Sequence, residues 1–130
     1  MKGICPYGQK GVKMDYEKVY KMSFYKVYTA LRDKALRKGR TEDELVEIIC
    51  WLTGYSKEEI VQIVTDDIEY GSFFHEAPCL NPDRKLITGT ICGIRVETIE
   101  EPLMQEIRYL DKLVDELAKG KSMEKIFRIK

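Results

Sequence analysis

Histidine and tryptophan occur once each in 130 residues, as His75 and Trp51, and the four cysteines, Cys5, Cys50, Cys79 and Cys92, form no Cys-x-x-Cys pair. A structural zinc site gathers four such ligands, so the sequence offers no ready metal framework. His75 and Cys79 are one helical turn apart, but Pro78 lies between them. A chain of this length can bury a core without disulfides, and the expectation is four reduced thiols. No run approaches the ~18 apolar residues of a spanning helix. The start also lacks the apolar stretch and small-residue cleavage site of a secretory leader. Together these absences point to the cytoplasm.

Net charge is lacking too, with 22 basic and 22 acidic side chains. Their distribution is uneven. Residues 1–40 hold 11 Lys and Arg against 3 Asp and Glu, a balance of +8, and residues 41–130 carry the opposite −8. Opposite halves favour mutual neutralisation within the fold, with the acidic helices between Glu42 and Glu69 covering the basic third. If they do not, Lys21, Arg32 and Lys38 beside Tyr25 and Tyr28 form a basic and aromatic surface suited to a partner or to single-stranded nucleic acid. Nucleic acid is the weaker expectation.

What is present is a foldable mixture, 44% apolar and 34% charged, without repeats or low-complexity tracts. Residues 1–13, with three glycines and no apolar periodicity, read as a flexible lead-in before a single helical domain over 14–130, and Met14 is a candidate original start. Val19, Tyr20, Phe24, Val27, Tyr28, Leu31 and Ala35 then recur at spacings of three and four, and Ser23 is placed to cap the main body. Thr41 and Ser56 each stand three residues before a glutamate, a capping box in both cases. The first opens a helix burying Leu45, Ile48, Ile49 and Leu52, stopped at Gly54. The second opens a helix burying Ile60, Ile63 and Val64. Trp51 is expected as a buried anchor.

Pro78 limits residues 72–77 to two turns. Asn81-Pro82 reads as a cap with proline in the first turn, and a helix is expected from there to Cys92, closed by Gly93. Residues 86–96 are β-branched, but no second segment offers an evident strand partner, so only a short extended piece is placed at 94–96. Pro102 opens the clearest helix, with Leu103, Ile107, Leu110, Val114 and Leu117 along its seam up to Gly120. Ser122 caps a last short helix. The expected architecture is all-α, a compact non-parallel bundle of about five or six helices.

Ile49-Cys50-Trp51-Leu52-Thr53-Gly54-Tyr55, Ala77-Pro78 with Asn81-Pro82, Cys92-Gly93-Ile94-Arg95-Val96-Glu97 and the run from Pro102 to Leu113 together resemble a small bacterial family, domain of unknown function 2200. The likeness runs from about Tyr16 to Phe127. It implies a compact, mostly helical bacterial domain and brings no catalytic or binding residues with it.

Chemical constellations are sparse. A Cys92 nucleophile with His75 as base and Glu76 orienting the ring is permitted by composition, but a helix C-terminus disfavours a thiolate. Gly89-x-x-x-Gly93 is neither a P-loop nor a dinucleotide fingerprint. The helix pair around Gly54 has the outline of a helix-turn-helix, yet Glu58 and Glu59 at the reading end would repel phosphate. His75, Asn81, Arg84 and Arg95 are polar groups near turns and the candidates for a small-ligand site around residues 75–97, with capping and salt-bridging as their ordinary use. No cofactor is implied. The function class that remains is a non-enzymatic domain acting through a macromolecular partner or as a homo-oligomer, with a small-molecule enzyme or ligand-binding protein as the alternative.

Overall fold

A computed structural model describes residues 16–129. The lead-in at 1–13, Cys5 and Met14 lie outside the described residues. The long amino-terminal periodicity resolves into two helices, α1 (Tyr16–Tyr20) and α2 (Phe24–Arg37). They break at Ser23, whose hydroxyl caps α2 by accepting from the Lys26 amide at 3.2 Å. The break is fixed from outside, because the Phe24 amide donates to Ile68 and the Tyr70 amide to Met22.

Both capping boxes form as read. Thr41 opens α3 (Glu42–Thr53) and Ser56 opens α4 (Lys57–Asp66), each hydroxyl accepting from a glutamate amide at 3.1 Å. Gly54 ends α3 in the left-handed conformation at φ 83°. The short α5 (Tyr70–His75) buries Tyr70, Phe73 and Phe74, and Phe73 stacks on Phe24 with ring centroids 4.1 Å apart.

The stretch expected as a helix to Cys92 is not one. Asn81 does cap, its side chain accepting from the Asp83 amide, but the element it opens is a 3-10 turn over Pro82–Leu86. A hairpin follows, with β1 (Thr90–Ile91) antiparallel to β2 (Ile94–Arg95). Cys92 and Gly93 form its two-residue loop at φ 53° and 81°, the two positive angles of a type I′ turn. The backbone groups of this β-branched stretch find each other across two residues, so no distant strand was needed. Gln105 and Lys112 donate to the carbonyls of Val96 and Thr90 and tie the hairpin to α6 (Pro102–Ala118).

That helix is central. The sequence marks a narrow seam, whereas Met104, Ile107, Tyr109, Leu110, Leu113, Val114 and Leu117 are all buried, nearly around the helix circumference. It packs against α2, α3, α5, the hairpin and α7 (Met123–Ile126). A helix apolar on most sides belongs inside, and the others wrap it. Buried side chains form one core cluster from Val19 to Ile126. The architecture is a mostly helical bundle with a very small sheet. Trp51 differs from expectation: it is half-buried and stacks on Phe127 at 5.3 Å, holding the carboxy-terminal segment.

Candidate functional site

An open cleft of about 540 Å³ lies between Tyr16, the hairpin and the start of α6. Its apolar wall is Ile94, Ile99 and Met104, with Glu101 and Arg108 on the α6 side. Glu101 is the residue before the helix and Arg108 comes seven later, two turns along. The two therefore fall on one side of α6, with Met104 between them, about 10 Å apart along the axis. Arg108 is 0% exposed.

Glu101 is held in place. One carboxylate oxygen caps α6 by accepting from the Met104 amide at 3.1 Å, and the same oxygen accepts from the Tyr20 hydroxyl. Burial first, and then this carboxylate, pushes the Tyr20 phenol above its ordinary range. It stays a protonated donor at neutral pH. Glu100 stands exposed at the rim.

The polar candidates from the sequence do not line this cleft. His75 is exposed at the end of α5. Asn81 caps the 3-10 turn. The Arg84 Nε donates to both oxygens of Glu106, at 2.9 and 3.0 Å, and its Nη1 to the Asn81 carbonyl. Arg95 is exposed and paired with Glu97 at 2.6 Å. Cys92 sits in the hairpin loop and not at a helix end. Cys50 and Cys79 are free thiols, and burial pushes Cys50 up. Among the described residues no three His, Cys, Asp or Glu side chains gather as a metal site would require.

The basic and aromatic candidates divide. Lys21 and Lys38 are exposed, Tyr25 is 50% exposed, and Arg32 lies 3.5 Å from Asp33. Tyr28 is buried, its hydroxyl donating to Glu42 at 2.6 Å, so its ring presents no stacking face to solvent. Neutralisation of the basic third follows the expected route where Arg40 pairs with Glu44 of α3, and takes another where Lys34 pairs with Asp115 of α6. The sequence did not mark Tyr16, Glu101 and Arg108 as a group. The available signal was an arginine four residues after Met104 and one after Ile107, inside the apolar face of α6.

A bacterial family described as an uncharacterized protein conserved in bacteria, domain of unknown function 2200, matches residues 18–128. The chain belongs to this family. The crystal structure of an uncharacterized protein, SP1917, is similar to this member of domain of unknown function 2200 at 44% identity and a TM-score of 0.83, over 92% of this chain and 95% of that one. No curated protein matches it. No helix among the described residues is long and apolar enough to cross a membrane.

Proposed function

We propose that this member of domain of unknown function 2200 is a non-enzymatic interaction domain of the bacterial cytoplasm that pairs with a second copy through the outward face of α2. The observation that carries this reading is the placement of two large apolar residues in solvent. Tyr25 is 50% and Leu36 49% exposed, and they stand eleven residues apart on one helix. Eleven residues are three turns, so both project from the same side. Lys26 and Arg37, equally spaced and exposed, form the neighbouring row. Lys21 and Lys38 extend the positive field at the two ends.

The complementary surface is α4, which packs against α2 within the chain. It exposes Val61 at 66% together with Glu58 and Asp66. A two-fold axis would lay α2 of one copy on α4 of the other and repeat the contact in reverse, an isologous interface. A chain of zero net charge with a basic and an acidic face suits such pairing.

Sedimentation equilibrium tests it. The expected result is a dimer at low salt with a dissociation constant below about 50 µM, weakened as salt rises. Tyr25→Ser with Leu36→Ser should give a monomer of unchanged melting temperature. A wild-type monomer at ten times that concentration sinks the proposal, and salt-sensitive RNA binding by that monomer would put a nucleic-acid partner in its place.

A further inference from the structure

We infer that the cleft between Tyr16, the hairpin and α6 binds a small, singly charged primary amine, with its ammonium head at the rim and its short apolar tail inward. The cleft is independent of the α2 face, and what carries the inference is the cavity and its division into two zones. At about 540 Å³ it falls within the range of small-molecule sites. Its apolar zone is built from Ile94 and Ile99, with Met104 on α6. Its acidic zone is Glu100 and Glu101, where α6 begins. Arg108 lies at the floor, fully buried and engaged within the fold, and receives no part of the ligand.

The two carboxylates are in different states, and together they set the sign of the head. Glu101 is fixed, because the Tyr20 hydroxyl and the Met104 amide both donate to its Oε1. That leaves Oε2 without a donor among the described residues. Glu100 is exposed and forms no ion pair among them. An ammonium therefore meets one preset and one mobile carboxylate. Tyr16, half-buried with its ring 6.2 Å from that of Tyr20, adds an aromatic surface of the kind that attracts cations. A carboxylate head is repelled by both acids, and a hydroxyl head gains a hydrogen bond without the charge. A second ammonium at the inner end would leave water for Met104 and a buried cation, so the ligand carries one charge.

The test compares hexylamine, hexanol and hexanoate, which share one tail and differ in the charge of the head. Calorimetry on the full chain at neutral pH should show saturable one-site binding of hexylamine, with hexanol weaker by about tenfold and hexanoate weaker still. Amide and methyl shifts should centre on Ile94, Ile99 and Met104. Glu100→Gln, at an exposed position, should leave the melting temperature unchanged and weaken hexylamine about fivefold while sparing hexanol. Ile94→Thr should weaken the amine and the alcohol by the same factor, since it touches only the tail. The three ligands on the wild-type chain decide the sign of the head whether or not a variant folds. Equal binding of the three, a preference for hexanoate, shifts centred elsewhere, indifference to Glu100→Gln, or no saturation up to about 10 mM would each overturn the inference.

Discussion

Gly54 and Cys79 approach so closely that a side chain on Gly54 has no room: a Cβ there would lie 2.7 Å from the Cys79 carbonyl oxygen and 2.9 Å from its amide nitrogen. The contact joins the end of α3 to the segment leading into the 3-10 turn, where the Cys79 and Asn81 amides donate to the Thr53 and Leu52 carbonyls. Gly54 also sits at φ 83°. Gly54→Ala therefore meets both backbone strain and backbone collision, and should cost more than about 2 kcal/mol. Gly39 is the control, since its φ is 81° but nothing lies within 4 Å of its Cβ position. Gly39→Ala should cost only about 1 kcal/mol. Equal losses in urea melts would show that conformation alone, and not the Cys79 contact, limits Gly54.

Acid sensitivity should centre on Glu44. The Arg40 guanidinium 2.9 Å away, with the Thr41 amide, holds its carboxyl at about 2 against an ordinary 4.5. A depressed folded-state value means the stabilisation is complete above the unfolded value and is lost as pH falls from 4.5 toward 2. Asp67, held low by the Ser23 hydroxyl and the Tyr25 amide, adds in the same direction. Melting temperature should fall through that window, and Arg40→Met should move the Glu44 titration, followed by carboxyl carbon NMR, up toward its ordinary value. An unmoved titration would show that the Thr41 amide alone sets it.

The hairpin loop is improvable. Cys92 carries a positive φ of 53° in a two-residue turn completed by Gly93. Asparagine tolerates that conformation far better than cysteine and leads the preference at the first position of such turns. Cys92→Asn should raise stability by about 0.5–1 kcal/mol, and Cys92→Val should lower it by at least as much. A stabilising valine would contradict the turn assignment.

What the sequence made legible was local. Thr41 with Glu44 and Ser56 with Glu59 fix helix starts within one turn of chain, and their signals need no tertiary context. The hairpin leaves little trace in the sequence because Thr90 pairs with Arg95 across a loop that lacks the usual Asn-Gly. The neighbours Ile49 and Leu52 mark Trp51 as core, yet its indole stacks on Phe127, seventy-six residues away. The cleft was beyond reach for the same reason: Tyr16, Ile94 and Arg108 meet only after α6 has been wrapped on most sides. The basic row of α2 could be listed from sequence, but burial of Tyr28 against Glu42 could not.

Arg84 and Glu106 lie twenty-two residues apart and join the 3-10 turn to the buried side of α6. Glu106 is 8% exposed, and both its oxygens accept from the Arg84 Nε. Removing the cation alone leaves a carboxylate with little access to water, which costs far more than the pair contributes net. Arg84→Met should therefore lose about 2–4 kcal/mol, and Glu106→Gln, which keeps an acceptor, about half as much. The double variant Arg84→Met with Glu106→Leu removes both charges and should come back to within about 1 kcal/mol of wild type. A double-mutant cycle closed with the Glu106→Leu single variant, by urea unfolding, reads the coupling. Additive losses would mean that the pair is not coupled through burial. In that case Arg84 would act through its second bond, to the Asn81 carbonyl at 3.0 Å, by bracing the turn alone.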